Sequence, residues 1–249
     1  VKHPDNHVGQ ITFLCKNWQG YLQLSQWLTK SYLDDASPII RSEWLNENNC
    51  RDLIILSGGW WSDWMLAINE QRDEDAKSYL NFWSKLAPDA YFLELHYINA
   101  ENEAAKIKKT VEIASQLDLP LVATNPICFL NEEDFEAQQA RFCIHRGEPL
   151  VNTKNNYTQE QYFKSSEKME TLFKRFPDAI TNTTTIAQRC VLEMPLGETH
   201  LPNFTYDKDM SDDQYLRELS FNGLKKRINQ INAAYEERLN FELKIIFKF

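Results

Sequence analysis

The stretch LPLVATNPICFLNEEDFEAQQARFCIHRG, from Leu119 to Gly147, decides the fold of this chain. It predicts a buried strand from Leu119 to Thr124 and then a short loop that contains Pro126 and Cys128. A helix is predicted next, from about Asn131 to His145, because a glycine just beyond it is a typical helix stop. In α/β proteins, the loop that leaves the carboxyl end of a strand usually holds ligands and metals. This loop is therefore the first candidate for a functional site.

The residues before this stretch repeat its pattern of a strand followed by a helix. Strand and helix alternate four times in all, and the connections are too long for hairpins. The alternation predicts parallel strands with right-handed crossovers, either in a barrel or in an open doubly wound sheet. The earlier strands are predicted at residues 11–15, 52–57 and 90–97, and the earlier helices at residues 17–32, 73–86 and 101–117.

After Gly147 the pattern changes to a series of helices. Thr158 and Gln161 predict a capping box for a short helix. Pro177 suits the first position of a helix that runs to Cys190. Two further segments are predicted, a helix from Ser165 or Ser166 to Phe176 and a linker at residues 201–211. Ser211 and Gln214 open a last predicted helix. Its apolar stripe consists of Tyr215, Leu219, Leu224, Ile228 and Ile231.

The composition is that of an ordinary soluble globular protein, with 249 residues of which 43% are hydrophobic and 25% charged. A net charge of -9 argues against a surface devoted to nucleic acid, which needs clustered positive charge. The five cysteines include no CxxC pair, so reduced thiols in a cytoplasmic protein are expected, rather than disulfides or a zinc ribbon. No apolar run approaches the roughly 18 residues of a membrane span, and no secretory signal is visible.

Seven phrases of the sequence have a characteristic order and spacing over about residues 10–240. They are NWQGYLQLSQWLTKSY, DLIILSGG, AYFLELH, LPLVATN, DFEAQQARFCIHRG, NYTQEQYFKSSEKMETLF and DAITNTTTIAQRC with LGETHLPNF. Together they resemble the polymerase-and-histidinol-phosphatase (PHP) domain that opens the bacterial replicative DNA polymerase III alpha subunits. The replicase-type ending separates the chain from free-standing PHP phosphoesterases.

The resemblance implies an α/β fold, a distorted (β/α)7 barrel that here lacks its first strands. The family's His-x-His pair would then lie upstream of Val1, which suggests a fragment. Residues 1–200 would be the N-terminally incomplete PHP domain, residues 201–210 a linker, and residues 211–249 the start of the helical region of the polymerase palm. The closing LKIIFKF departs from the family, which suggests a truncation or a frame change.

The resemblance also implies the activity and partners of the parent chain, a DNA-directed DNA polymerase that uses Mg²⁺. Its catalytic aspartates would lie beyond Phe249, so this segment alone is expected to be inactive and without a cofactor. The implied partners are the proofreading exonuclease subunit and other polymerase III holoenzyme subunits. DNA would be bound through the parent chain rather than primarily through this segment, and no membrane is involved.

Metal-dependent PHP proteins hold ions with His, Asp, Glu and Cys at strand ends, where they generate hydroxide and bind a phosphate ester. By resemblance, such positions are taken here by Gln10, Gly59, Pro126, Cys128 and Gln138. Glycine and proline offer no side-chain donor, and neutral glutamine is a weak ligand. The expected role is therefore a degenerate, metal-free PHP domain that acts as structural support and docking surface. The alternatives are a metal-dependent PHP phosphoesterase or exonuclease and a stand-alone interaction module.

Two pairs of other residues also carry possible chemistry. His3 and His7 have the i, i+4 spacing of a helical metal site, but a nearby proline and asparagine favour a loop with solvated histidines. Glu94 and His96 alternate on a strand and so face one side of it. They suggest either an acid–base couple or, more simply, a hydrogen bond at the end of the barrel.

The tryptophans Trp60, Trp61 and Trp64 form a cluster that is more typical of a core than of a platform for stacking bases, since few basic residues surround it. Those members of the cluster that are exposed, together with Trp83, would suit a docking surface, because tryptophan is enriched at binding hot spots.

Overall fold

The computed structural model describes residues 1–34, 38–150, 157–199 and 210–248, and the chain divides into two compact units, Val1–Pro195 and Leu196–Phe249. The first unit contains a four-stranded sheet in the order β1-β2-β3-β4. The strands are β1 (Thr12–Cys15), β2 (Leu53–Leu56), β3 (Tyr91–His96) and β4 (Leu121–Thr124). Every residue of β2 and β3 is buried, as expected of continuous apolar runs at the centre of a sheet.

β1 runs antiparallel to β2, which corrects the prediction that all the strands are parallel; β2, β3 and β4 do run parallel. The reason is that the chain crosses the unit twice between β1 and β2. After helix α1 (Trp18–Asp34), Ser42 N donates a hydrogen bond to Lys2 O, close to the amino end of β1. The chain then returns, and Asp52 O accepts a hydrogen bond from Lys16 N. It therefore enters β2 beside the end of β1 and runs in the opposite direction.

The helices of the first unit begin and end at residues that suit those positions. After α1 they are α2 (Glu47–Cys50), α3 (Asp63–Asn69), α4 (Asp73–Leu86), α5 (Glu103–Leu117), α6 (Phe135–Arg146), α7 (Ser166–Leu172) and α8 (Pro177–Arg189). Asn17 Oδ1 accepts from Gly20 N at the start of α1, and Ser165 Oγ accepts at the start of α7. Pro177 opens α8, and Gly147 closes α6 with a φ of 68°. These predicted boundaries are confirmed.

The main core joins the sheet to the helices that precede and follow β2. Trp64, Trp83 and Tyr91 are among its largest fully buried side chains. A smaller cluster includes Leu95 and Phe173. Burying side chains of this size is the dominant favourable contribution to folding, at about 25 cal/mol per Å² of apolar surface.

The segment at Thr158 forms a turn, so the prediction of a short helix there is wrong. Thr158 N donates to Gln161 Oε1 at 2.9 Å, which is one half of the predicted capping box. Within the described residues, Thr158 Oγ1 is buried without a partner. The backbone at Gln161 instead accepts from Cys128 N at 2.8 Å, and Tyr162 pairs with Phe129. Pairing with this other loop holds the segment extended.

The second unit has two helices where one was predicted. Helix α9 (Asp212–Arg227) begins with reciprocal capping between Ser211 and Gln214, as predicted. The chain then leaves the helical conformation at Ile228, whose φ is -126° and ψ is 117°. Helix α10 (Ala233–Ile246) follows. The predicted apolar stripe is therefore interrupted at its last two positions.

Two predictions about the whole chain remain predictions. One is the distorted (β/α)7 barrel, and the other is the division into residues 1–200, 201–210 and 211–249. Most of the predicted linker, residues 201–209, lies outside the described residues. Within the described ranges, no helix combines the length and apolar character needed to cross a membrane.

Candidate functional site

A cavity of about 720 Å³ opens at one edge of the sheet in the first unit. Strands β2, β3 and β4 lead into it at their carboxyl ends, through Gly58, His96 and Asn125, and β1 leads into it at its amino end, through Gln10. This is the edge at which α/β proteins usually hold ligands. Gln10 and Pro126, two of the predicted former ligand positions, line the cavity.

Two successive glycines turn the chain sharply after β2. Gly58 has a φ of 83° and Gly59 a φ of 58°, a left-handed conformation that favours glycine. A Cβ atom on Gly59 would lie 2.0 Å from Cε1 of His96. The imidazole of His96 therefore occupies the space that any side chain at residue 59 would need.

Glu94 and His96 lie at the end of β3 with 8% and 3% of their surfaces exposed. Gly58 N donates to Glu94 Oε2 at 2.5 Å, and Glu94 N donates to Ser57 Oγ at 3.0 Å. His96 Nε2 is 3.8 Å from Glu94 Oε1, which is too long for a hydrogen bond. The hydrogen bond expected at this strand end is therefore present, but it joins Glu94 to the backbone. The side chains of Glu94 and His96 lie close together without a hydrogen bond between them.

His96 packs against two members of the tryptophan cluster. Its ring centroid is 5.7 Å from that of Trp60 and 6.2 Å from that of Trp61. Trp60 and Trp64 are buried, which confirms the core interpretation for them, and Trp83 is buried too, whereas Trp61 is 40% exposed. Of the tryptophans considered for a docking surface, only Trp61 is therefore available.

The loop after β4 is fixed by hydrogen bonds from a distant segment. Gln161 Nε2 donates to Pro126 O at 3.0 Å and to Cys128 Sγ at 3.3 Å. Asn125 Nδ2 donates to Tyr162 O at 2.7 Å. Burial raises the pKa of the Cys128 thiol, so the thiolate form that binds metals is disfavoured at neutral pH.

The residues at the positions that the resemblance assigns to metal ligands do not fit a metal ion. Gly59 and Pro126 lack side-chain donor atoms, and Gln10 offers only an exposed neutral amide. Gln138 is half-buried on α6 and is not among the cavity-lining residues. In the described part of the chain, no group of three or more His, Cys, Asp or Glu is arranged to hold a metal, and a protein site usually supplies three or four such ligands.

His3 and His7 lie in a loop, as predicted, but the expectation that both are solvated is wrong. His3 is buried, and its Nε2 lies 2.7 Å from Asp63 Oδ2. His7 Nε2 lies 2.9 Å from Asp63 O, and Arg72 lies 2.7 Å from His7 Nδ1. Because arginine can only donate, Nδ1 accepts and Nε2 carries the proton. The two histidines therefore attach the N-terminal loop to α3 and α4.

Sequence reasoning missed Asp63, which is fully buried and also accepts from Trp83 Nε1 at 2.6 Å. In the sequence it appears as an ordinary acidic residue in the first turn of a helix, where the dipole favours negative charge. Only its partners, 60 and 20 residues away, distinguish it.

Comparison with known proteins agrees with the resemblance seen in the sequence. The PHP domain family matches residues 2–97. The chain is 34% identical over 264 residues to the DNA polymerase III subunit alpha of Pseudomonas fluorescens and 37% identical over 263 residues to that of Haemophilus influenzae, covering 99% of this chain in each case. It is 36% identical over 256 residues to that of Escherichia coli strain K12, covering 97% of this chain. The chain spans 22% of the length of each of these relatives. The chain is therefore similar over nearly its whole length to part of the bacterial DNA polymerase III alpha subunits, and residues 2–97 match the PHP domain family.

Proposed function

We propose that this chain is part of a replicative DNA polymerase III alpha subunit in which the PHP domain is metal-free and serves as structural support. The parent chain would be a DNA-directed DNA polymerase that uses Mg²⁺ and binds DNA chiefly outside this segment. The observation that carries the proposal is the contact between His96 and Gly59, because the imidazole fills the space of a ligand side chain at the end of β2.

The use of the polar groups at the strand ends supports a structural role. Glu94 accepts a backbone N–H after β2, and Asn125 donates to the backbone of the segment at Tyr162. Gln161, itself buried, fastens the loop after β4. An enzyme of this architecture would place its catalytic side chains at these strand ends. In this chain, the polar groups at the strand ends join one loop to another.

An exposed apolar patch supports the docking role. The patch, which we call the 127–163 surface, consists of Ile127, Leu130 and Phe163, and the last two are 65% and 63% exposed. Phe163 N donates to Leu130 O at 3.2 Å, so Phe163 and Leu130 lie on adjacent backbone segments. The proofreading exonuclease subunit is the proposed partner of this surface, alongside contacts with other polymerase III holoenzyme subunits.

The remaining parts of the proposal concern architecture. Residues 1–200 would form a PHP-type distorted (β/α)7 barrel that lacks its first strands, and residues 211–249 would be the start of the palm-domain helical region. The similarity to alpha subunits over 97–99% of the chain supports this assignment, because it extends well beyond the residues matched by the PHP family.

Elemental analysis of the chain purified without chelators tests the metal-free role. We expect fewer than about 0.1 zinc, manganese or iron ions per chain, because stable binding needs a complete ligand set. Phosphatase assays with added Mn²⁺ or Zn²⁺ should show no hydrolysis. The chain alone should also fail to extend a primer on a DNA template, with the Escherichia coli alpha subunit as the positive control. Stoichiometric metal with phosphatase activity would instead support a metal-dependent PHP phosphoesterase or exonuclease.

A further inference from the structure

The cavity at the strand ends has the build of a small-molecule site. Its volume of about 720 Å³ falls in the usual range for ligand pockets. One part of its wall is apolar and comes from β1, α1 and the chain that follows α1. The apolar residues include Ile11, Phe13, Leu24, Leu28 and Ile40.

Another part of the wall carries a buried carboxylate, Glu94, with unused hydrogen-bonding capacity. A carboxylate has about four acceptor positions, and the side chain of Glu94 accepts one hydrogen bond, from Gly58 N, within the described residues. Its nearest basic neighbour is His96, at 3.8 Å. Buried carboxylates are normally matched by cations or by several donors.

Three more polar atoms at the same end lack partners. His96 Nδ1, Thr124 Oγ1 and Asn125 Oδ1 are buried and form no hydrogen bond in the part of the chain that the structure describes, and all three residues line the cavity. In folded proteins nearly all such atoms have a partner. The end of the cavity at Glu94 is therefore where the polar head of a ligand is expected.

The charge of the cavity decides which head group fits. Among the described residues, no lysine or arginine side chain lines it. A phosphate or carboxylate ligand would meet Glu94 without compensation, whereas an ammonium group would relieve it. A divalent metal would find one carboxylate and lack the remaining ligands.

We propose that this cavity binds a small organic cation, an ammonium group on an apolar aliphatic or arylalkyl body. The ammonium N–H groups donate to Glu94, and the body lies against the apolar wall at Ile11, Phe13 and Leu28. The cavity thus selects for positive charge, the reverse of what a phosphoesterase needs. This inference goes beyond the structural role and does not depend on it.

A matched series of probes tests the selectivity on the unmodified chain. 4-Phenylbutylamine, 4-phenylbutanol and 4-phenylbutyrate share one body and differ in head charge, and NMR signals of the Trp61 indole and the His96 ring report on the cavity. We expect saturable shifts with the amine at a Kd at least about tenfold lower than for the alcohol, and no saturable binding of the carboxylate. Equal binding of amine and carboxylate, or no binding of the amine, would overturn the proposal.

A pair of variants locates the charge that selects the amine. Glu94→Gln keeps an acceptor for Gly58 N and should raise the Kd of the amine about tenfold, to that of the alcohol. Glu112→Gln, on α5 outside the cavity, should leave the Kd unchanged. An unchanged Kd in Glu94→Gln, or displacement of the amine by stoichiometric Zn²⁺, would also contradict the proposal. Because the probe series uses the unmodified chain, the test stands even if Glu94→Gln fails to fold.

Discussion

Asp63 joins three parts of the first unit through one buried carboxylate. Its Oδ2 is in contact with His3 Nε2 at 2.7 Å and accepts from Trp83 Nε1 at 2.6 Å, while its Oδ1 accepts from Trp64 N at 2.7 Å. Removing a carboxylate from water is costly and is compensated only when its oxygens have good partners. Each oxygen of Asp63 has at least one donor, so its burial is compensated.

We predict that Asp63→Asn destabilises the chain by about 3 kcal/mol. In either orientation, the amide nitrogen would face a donor, since Trp83 lies at one oxygen and Trp64 N at the other. Urea unfolding followed by tryptophan fluorescence measures the change. Asp73→Asn, at an exposed position in the first turn of α4, is the control and should cost less than about 0.5 kcal/mol. Equal losses in the free energy of unfolding for the two substitutions would show that the hydrogen bonds around Asp63 stabilise the fold no more than an exposed carboxylate does.

Helix α1 shows how one side chain can start a helix and also hold it against the sheet. Asn17 Oδ1 accepts from Gly20 N at 3.1 Å, and Asn17 Nδ2 donates to Asp52 Oδ1 at 2.8 Å, directly before β2. Gly20 is buried against Asp52, where a Cβ would lie 2.3 Å from the carbonyl oxygen. The start of α1 and the entry to β2 are therefore fixed together.

We predict that Asn17→Ala lowers the free energy of unfolding by about 1 to 2 kcal/mol, because it removes the helix cap and the bond to Asp52. Gln19→Ala, an exposed substitution in the same turn, is the matched control and should be nearly neutral. Chemical unfolding of the two variants gives the comparison. A loss in Asn17→Ala no larger than in the control would contradict the double role of Asn17.

The elements that could be predicted from sequence are those whose signals are local. Strands with continuous apolar runs and helices opened by Asn17, Ser165, Pro177 or Ser211 appear where expected, because caps and periodicity act within a few residues. The direction of β1 could not be predicted, since it depends on a double crossing of the unit. At the site, Gln10 and Pro126, two of the positions that the resemblance assigns to metal ligands, line the cavity, and their assignment as vestigial ligand positions stays a prediction. The positions of His96 against Gly59 and of His3 against Asp63 depend on contacts between distant residues, which no local pattern encodes.

At the scale of the molecule, the 127–163 surface is an exposed apolar patch on a chain whose net charge is -9. The 127–163 surface is adjacent in the chain to Glu132, Glu133 and Asp134, which form a helical turn directly after Leu130. Apolar residues at the centre and charges at the rim are typical of a protein interface. A partner that docks there would therefore need an apolar centre and a basic rim.

We predict that Phe163→Asp weakens capture of the proofreading exonuclease subunit at least about tenfold, because an unpaired charge would enter the apolar centre of the interface. Leu33→Asp, a comparably exposed position on α1, should bind as the unmodified chain does. Affinity measurements with the purified exonuclease subunit provide the readout. Unaltered capture by Phe163→Asp would place the docking surface elsewhere.

The packing of His96 against Gly59 imposes an order on sequence change. A side chain introduced at residue 59 alone would collide with the imidazole, and the left-handed φ of 58° would add backbone strain. His96 would have to become smaller first, and that step would leave a hole beside Trp60 with no ligand yet in place. A ligand side chain at residue 59 therefore cannot be gained in a single favourable step, since each of the two changes is unfavourable before the other can offset it. The contact between His96 and Gly59 therefore opposes any change that would place a metal ligand at the end of β2.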